Sequence, residues 1–449
     1  MRRGARLGLA LALAGGLAVA PMASARTLST EIDRRATLVE PRLIAWRRDI
    51  HSHPELGNGE VRTAKLVADH LRALGLEVRT GVGGTGVVGV LRTGRPGPVV
   101  ALRADMDALP VQEATGLPFA SQATGDYRGK VGPVMHACGH DAHVAILMAT
   151  AEVLTALKPD LRGVVVFVFQ PAEEGPADFT PEGARSWGAK RMVEDGVLDD
   201  PKVDAVFGLH VLSGVASGRL EWRSGPTLAS ADRFQIRVQG RQTHGSAPWR
   251  GVDPITLAAQ VVMGLQTISS RQVDVTKAPS VITLGQIHGG ARENIIPDAV
   301  DLEGTIRTYD RAMQLDIHKR IKRTAELISE SGGGSADVKI VELFPPTVND
   351  DELTRQMSPT LQRVMGPGNW NDAPDKRTGS EDFPFFGARA PSLYVHLGVT
   401  PPDKLQTAAA NHSPLFYVDE AALRQGVRVM TSLAADYLNG VGAKPSTAR

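Results

Sequence analysis

The pattern of apolar and polar positions predicts two kinds of sheet along the chain. Between residues 60 and 209, short apolar runs alternate with segments of helical spacing. We predict helices over 60–74 and 142–157, and strands over 87–91, 99–102, 164–170 and 203–209. Because these strands are apolar on both faces, we expect an α/β fold with a mostly parallel sheet that helices cover on both sides.

The pattern changes after residue 222, where strands with one apolar face accompany amphipathic helices. Asp253 followed by Pro254 is typical of a helix start. We predict a strand over 234–238, a helix over 253–270, strands over 281–287 and 300–307, a helix over 311–329 and a strand over 338–341. This β-α-β-β-α-β order is that of a ferredoxin-like domain.

The pattern of buried strands and helices seen before residue 209 returns near the end of the chain, with a predicted strand over 393–397 and a predicted helix over 420–438. We therefore predict that residues 222–342 form a domain inserted into a larger one. The larger domain then comprises residues 27–221 and 343–440.

The first 25 residues have the pattern of a secretory signal peptide. Arg2, Arg3 and Arg6 precede an apolar stretch over 7–20, and an A-x-A cleavage site follows at 23–25. An uncleaved anchor is the alternative, but the stretch is short for a membrane span. We predict a periplasmic or secreted protein without a stable membrane span.

Composition narrows the classes of partner. Removal of the first 25 residues leaves 47 basic against 49 acidic residues, so the mature chain is close to neutral. The sequence contains no basic stripe, and nucleic acid is therefore not an expected partner.

The single cysteine, Cys138, lies in the most unusual segment of the chain. Residues 135–143 also hold His136, His140, His143 and Asp141. Thiol, imidazole and carboxylate groups are the ligands of zinc and similar cations. A lone thiol cannot form an intrachain disulfide. The segment therefore indicates either a metal site or a buried structural cysteine beside surface histidines.

Polar side chains directly follow three of the predicted strands. They are Asp105 with Asp107, Glu173 with Glu174, and His210. Active groups of open α/β sheets collect at the carboxyl ends of strands, so we expect these five side chains to share one site. Taken singly, the glutamates also suit a solvated acidic turn, and His210 suits a satisfied strand-end histidine.

Two further motifs are assigned no part in the site. Residues 81–86 match G-x-G-x-x-G, but a predicted helix precedes them and a strand follows, the reverse of a dinucleotide-binding loop. We interpret them as a turn. His51 and His53 precede the predicted helix over 60–74, and we assign them to the entry of that helix.

Six segments in order resemble the M20 metallopeptidase family. The resemblance is to its amidohydrolase branch, which contains hippurate hydrolases, N-acyl-amino-acid amidohydrolases and auxin-conjugate hydrolases. The matching segments are 51–56 (HSHPEL), 103–110 (RADMDALP), 135–141 (MHACGHD), 170–175 (QPAEEG), 379–383 (GSEDF) and 411–414 (NHSP).

The resemblance implies a catalytic domain with two divalent metal ions per subunit, zinc or manganese, and an inserted domain that forms a homodimer. The ligands that it implies are Cys138, His140, Glu174, His210 and His412. The segments 125–131 and 176–187 are longer than is usual in such proteins, and we expect them to reshape the entrance of the site.

The resemblance also implies roles for five other residues. Glu173 would be the general base and Asp107 would orient the site. His244 would stabilise the oxyanion from the partner subunit, and Asn294 and Arg307 would hold the substrate carboxylate. The expected activity is hydrolysis of N-acyl amino acids by metal-activated water. A dipeptidase or carboxypeptidase, and a non-catalytic metal-containing binding protein, are the alternatives.

Overall fold

The computed structural model describes residues 27–178 and 186–440. The predicted signal peptide and the residues after 440 lie outside this range, as does most of the segment 176–187. The helices are α1 (Leu28–Ser52), α2 (Val61–Ala73), α3 (His140–Ala156), α4 (Gly188–Glu194), α5 (Pro254–Thr267), α6 (Arg311–Ser331), α7 (Asp351–Met365), α8 (Pro384–Gly387) and α9 (Leu423–Leu438). None of these helices is both long and apolar enough to span a membrane.

The strands form two main sheets and several short pairs. They are β1 (Glu77–Val82), β2 (Gly86–Arg92), β3 (Val99–Asp105), β4 (Thr124–Tyr127), β5 (Lys130–Pro133), β6 (Val164–Gln170), β7 (Ala205–Ala216), β8 (Leu220–Glu221), β9 (Gly225–Leu228), β10 (Ala231–Gln239), β11 (Thr243–His244), β12 (Ser280–Gly289), β13 (Ile295–Ile296), β14 (Ala299–Thr308), β15 (Ser335–Phe344), β16 (Thr347–Asn349), β17 (Trp370–Asn371) and β18 (Ser392–Thr400).

The large sheet has eight strands in the order β1-β2-β6-β3-β7-β18-β8-β17. Its central strands β6, β3, β7 and β18 run parallel. Helices α1, α3 and α9 pack on one face, and α4 and α8 pack on the other. The predicted mostly parallel, doubly covered sheet is confirmed. Strand β6 has the predicted bounds because its side chains, Val-Val-Val-Phe-Val-Phe-Gln, are buried on both faces.

The second sheet has the order β12-β14-β10-β15, and every pair in it is antiparallel. With α5 and α6 it gives the predicted ferredoxin-like β-α-β-β-α-β order. Asp253 caps α5 by accepting hydrogen bonds from the N–H groups of Ile255 and Thr256. Both helices cover the same face of the sheet, where Phe234 and Ile236 are buried. The other face carries polar side chains.

Two local interpretations are corrected by the structure. Strand β1 lies between α2 and the glycine-rich run, and it pairs antiparallel with β2. The run is therefore a hairpin turn, but a strand and not a helix directly precedes it. His51 lies in the last turn of α1, a long helix that the sequence analysis did not predict. It belongs to the end of α1 and not to the entry of α2.

Candidate metal centre

A glycine with positive φ brings two of the predicted ligands together. Gly139 has φ +94° and precedes α3, which begins at His140. A Cβ atom at Gly139 would lie 2.3 Å from Cγ2 of Val211, so no larger residue fits there. The chain therefore turns sharply between Cys138 and His140, and both side chains lie beside His210, in the middle of β7.

Two other ligand segments adopt the left-handed conformation without a glycine. Ala172 has φ +49° directly before Glu173, and His412 has φ +72°. The N–H of Ala172 donates to the buried carboxylate of Glu60 at 2.8 Å. Such backbone conformations persist only where the surroundings hold them, and they are concentrated at functional sites.

The five predicted ligands form overlapping groups of donor atoms. Sγ of Cys138 lies 3.4 Å from Nε2 of His210 and 3.3 Å from Nε2 of His412. The same His412 nitrogen lies 2.9 Å from Oε1 of Glu174. His140, Glu173 and Glu174 form a further group whose ligand atoms lie within 4.8 Å of one another. The structure thus brings all five together.

The hydrogen bonds of two histidines leave the nitrogen that a metal would need. Nδ1 of His140 donates to the backbone oxygen of Asp107 at 2.8 Å, and Nδ1 of His210 donates to the oxygen of Val211 at 2.6 Å. In both rings the lone pair is then on Nε2. Nε2 of His140 is buried and has no hydrogen-bond partner. The donor set therefore fits divalent metal ions.

His143 stands beside these ligands but has no nitrogen to spare. Its Nδ1 donates to Asp105 at 2.5 Å, and its Nε2 accepts the N–H of Val211 at 2.8 Å. The ring thus fixes the strand position next to His210. We assign His143 and Asp105 to the support of the ligands, together with Asp107, which also accepts the N–H of Glu174 at 2.9 Å.

The pKa shifts of two ligand histidines show nearby negative charge, whereas burial and then His143 lower the pKa of His210. Hydrogen bonds with Cys138 and then with Glu174 raise the pKa of His412 to about 10. Burial alone would lower the pKa of His140, but Asp105 and Asp107 raise it well above its usual range. A bound cation would supply the positive charge that these imidazoles otherwise have to carry.

Behind Glu173 lies a buried acidic cluster that the sequence analysis quoted but assigned no role. Carboxylate oxygens of Glu173, Glu381 and Asp382 lie within 4.8 Å of one another. Arg103 is the shared cation of two of them, with Nη2 at 2.9 Å from Glu381 and 3.1 Å from Asp382. The hydroxyl of Tyr394 also donates to Glu381 at 2.6 Å. Burial, and then Glu381 and Glu174, raise the pKa of Glu173 well above its usual range.

His51 joins three parts of the chain next to the centre. Its Nδ1 lies 2.8 Å from Asp141 and its Nε2 lies 3.1 Å from Glu113. Arg47 donates to the same Asp141 oxygen at 2.8 Å. Since Asp141 is the second residue of α3, this network holds the start of that helix against α1. His51 is therefore a support of the centre and is not placed to be a ligand.

The three predicted residues of the inserted domain do not reach the ligands within one chain. In the described part of the chain, neither His244, Asn294 nor Arg307 forms a hydrogen bond or ion pair with any of the five. His244 is exposed and its Nδ1 accepts from Ser246. The short pair of β11 and β13 places His244 opposite Ile295, and the N–H of the next residue, Gly245, donates to the backbone oxygen of Asn294 at 2.8 Å. Arg307 is half-buried and donates only to the backbone oxygen of Ser230, at 3.2 Å.

Known proteins match the chain across both sheets. A family model described as Peptidase family M20/M25/M40 matches residues 101–436. Thermostable carboxypeptidase 1 of Saccharolobus solfataricus is 40% identical over 403 residues, which cover 89% of this chain and 96% of that protein. N-acetyl-L-cysteine deacetylase of Bacillus subtilis is 36% identical over 389 residues, which cover 86% of this chain and 85% of that protein.

A solved structure shares the whole architecture. The crystal structure of the YxeP protein of Bacillus subtilis, described as a dinuclear metal binding peptidase from the M20 family, matches with a TM-score of 0.74 and 33% identity. The match covers 90% of this chain and 99% of that one. It extends over both sheets and supports a centre with two divalent metals.

Proposed function

The chain belongs to peptidase family M20/M25/M40, and on that premise we propose that it hydrolyses the amide bond of N-acyl amino acids. The observation that carries the proposal is the buried carboxyl of Glu173 among the metal donors His140 and Glu174. A binding protein without activity has no need of such a group. When bound, a pair of divalent metal ions polarises a carbonyl and acidifies water.

The residues of the chain divide the remaining work. Cys138 belongs to two donor groups, one with His140 and His210 and the other with Glu174 and His412, and these five residues would hold the two ions. Thiolate and imidazole donors favour zinc, and manganese is the alternative. Either ion is read by elemental analysis of the purified protein.

Glu173 is the proposed general base. Burial and Glu381 raise its pKa in the metal-free chain, and bound cations would offset that rise, so that the carboxylate would take a proton from water. Its next role is to deliver that proton to the leaving amine. Behind Glu173, Arg103 and Tyr394 hold Glu381 in place.

Arg307 supports an amino-acid leaving group. In the parts of the chain that the structure describes, no carboxylate lies within 4.0 Å of its guanidinium, and burial lowers its pKa. A substrate carboxylate would give it the bidentate partner that it lacks. The deacetylase among the relatives favours an acyl group on the other side of the bond. The carboxypeptidase favours a peptide, which is the second candidate.

A substrate screen separates these candidates. Protein reconstituted with zinc, and separately with manganese, would be assayed with N-acetyl amino acids and with dipeptides of the same C-terminal residues. We expect the N-acetyl series to give the higher kcat/KM. Faster hydrolysis of the dipeptides would reverse the assignment, and no hydrolysis with either metal would favour the binding protein.

We also propose a homodimer through the inserted domain. Strand β12 is one of the two edge strands of the small sheet, and its Val281 and Ile287 are exposed. Long exposed edges with apolar side chains are typical sites of strand pairing. Among the described residues, the side chain of His244 hydrogen-bonds only to Ser246. In the proposed dimer it stabilises the oxyanion at the neighbouring subunit's site, next to a substrate held by Asn294 and Arg307.

Complementation tests the dimer and the role of His244 together. Inactive His244→Ala subunits would be mixed with inactive Glu173→Gln subunits and allowed to exchange. If His244 acts on the neighbouring site, one site of each mixed dimer is intact and activity returns. A mixed dimer that is shown to form but stays inactive would place His244 in its own subunit's site.

We further propose export, on the pattern of the first 25 residues. The measurement is the N-terminal sequence of the protein recovered from a periplasmic or culture fraction. We expect it to start near Arg26, and an intact Met1 would favour the uncleaved anchor.

A further inference from the structure

The open face of the small sheet carries its charges in rows across β10 and β14. Arg237 lies opposite Asp301 and pairs with it at 2.7 Å. The next row places Gln235 opposite Glu303, and the amide donates to the carboxylate at 3.2 Å. Both rows therefore satisfy their own charges.

The rows nearest the large sheet differ, because their arginines have no acidic residue opposite them. Arg233 lies opposite Thr305, and Arg307 is two residues further along β14, so both arginines share the open face. Both are half-buried. Across residues 27–178 and 186–440, neither has a carboxylate within 4.0 Å, and Arg233 has no side-chain hydrogen bond.

The acidic residues nearest this pair are engaged elsewhere. Asp232 points to the covered face, where it accepts from Gln314 at 2.9 Å and lies 2.9 Å from Nε2 of His318. Glu342 pairs with Arg311 at 2.9 Å. Within residues 27–178 and 186–440, neither guanidinium thus has a carboxylate in direct contact, and Asp232 acts on Arg307 only from a distance, raising its pKa against the effect of burial.

The same end of the sheet contacts the loop of the metal centre. Phe344 lies opposite Ala231, two residues from Arg233. Its ring packs edge-on against Trp187, with the ring centroids 6.5 Å apart. The indole nitrogen of Trp187 would lie 3.9 Å from a Cβ on Gly175, the residue after Glu174. The unpaired arginines therefore stand at the side of the small domain that meets the catalytic loop.

From this arrangement we propose that Arg233 is a specificity residue that binds a second carboxylate, on the side chain of the leaving amino acid. The proposal rests on the proposed function, in which Arg307 takes the α-carboxylate. The preferred substrates are then N-acyl derivatives of acidic amino acids. A neutral amide in the same place leaves the Arg233 guanidinium without its anion, and such mismatches discriminate strongly between substrates of equal size.

N-acetylglutamate and N-acetylglutamine test the proposal because they differ only in that group. We expect the metal-loaded enzyme to prefer N-acetylglutamate in kcat/KM by roughly 10- to 100-fold, the range for a charge-assisted pair. Arg233→Gln should bring the ratio close to 1, because kcat/KM should fall far more for N-acetylglutamate than for N-acetylglutamine. Arg237→Gln, on the same face but paired with Asp301, is the matched control and should keep the wild-type ratio.

Three results would overturn the proposal. The first is a wild-type enzyme without preference for N-acetylglutamate. The second is a ratio that Arg233→Gln does not change. The third is an equal loss with both substrates in Arg233→Gln, since Arg233 would then serve the shared α-carboxylate.

The design separates this proposal from the proposed function. If N-acyl substrates fail and dipeptides react, the same ratio is measured with glycyl-glutamate and glycyl-glutamine. If neither class reacts, the thermal shift of the metal-loaded protein with glutamate and with glutamine replaces it. A larger shift with glutamate in the wild type, lost in Arg233→Gln, supports the site, and equal shifts overturn it.

Discussion

Arginine side chains on the two sheets of this molecule differ in burial and in the number of carboxylates that they contact. At the end of the large sheet, Arg103 is 2% exposed and contacts Asp105, Glu381 and Asp382. On the open face of the small sheet, the side chain of Arg237 is 51% exposed and contacts Asp301 alone. The buried cation holds several anions that water cannot solvate, whereas the exposed pair competes with water and salt at every moment.

The difference teaches where rigidity and recognition come from. The groups around Arg103 hold one another in place beside Glu173, the proposed general base. The small sheet instead carries charged side chains that remain accessible for binding a substrate or another subunit. Changes in the first region should therefore cost stability or turnover broadly, and changes in the second should alter selectivity with little cost.

The largest expected effect is on turnover at the buried end. Glu173→Gln should lower kcat by roughly 10²- to 10⁴-fold, because the variant cannot accept the proton of water. Its metal content should stay at the wild-type level, whereas Glu174→Ala should lose metal. Steady-state kinetics and elemental analysis of both variants provide the check. Equal metal loss in the two variants would contradict the division of roles.

The next largest effect is on stability. Arg103→Met should lower the free energy of unfolding by about 3–5 kcal/mol, because it leaves several buried carboxylates without their cation. Urea unfolding monitored by circular dichroism measures the change. Arg103→Lys, which keeps the charge but loses the planar fork, should fall between the wild type and Arg103→Met. A loss below 1 kcal/mol in Arg103→Met would show that the cluster sheds its charge by taking up protons.

Glu60, a buried carboxyl of the large domain, should make the free energy of unfolding depend on pH. Burial, and then Asp107, raise its pKa from 4.5 to about 8. The folded protein thus keeps a proton that the unfolded chain releases, and this stabilisation is present below pH 4.5 and is lost as the pH rises to about 8. The slope is at most about 1.4 kcal/mol per pH unit. Unfolding of chelator-treated wild type and Glu60→Gln at pH 5, 6.5 and 8 should differ by this slope, and parallel curves would refute it.

The smallest effect is expected on the open face. Arg237→Gln should change the free energy of unfolding by less than about 1 kcal/mol, since an exposed pair contributes little. Raising the salt concentration should shrink even that difference. A loss comparable to that of Arg103→Met would mean that the open face is covered in solution, and the comparison would then have to be made on the dimer.

The central strands, and the proximity of the candidate metal donors, were predictable because their signals are local. Strand β6 is one uninterrupted apolar run, and Cys138 and His140 stand two residues apart. Helices α1 and α7 were missed although their buried residues have helical spacing. Each contains a proline, Pro41 and Pro359, which is more typical of helix ends.

The acidic cluster could not be predicted for a different reason. Arg103 and Glu381 meet although 278 positions separate them, and no local pattern in either segment indicates the other. The lack of a carboxylate partner for Arg233 among the described residues likewise depends on three strands and one helix together. It depends on Asp232 facing α6 and on Glu342 facing Arg311, and only the folded register determines both.

The solitary thiol gives this protein a built-in analytical handle. Cys138 is the one cysteine of the chain and is 7% exposed, among the donors of the metal centre. Coordination withholds a thiolate from alkylating and disulfide reagents. A colorimetric thiol titration of native protein should therefore release one equivalent of chromophore per metal-free subunit and none from a loaded one. The metal occupancy of any preparation can then be measured by thiol titration, without elemental analysis.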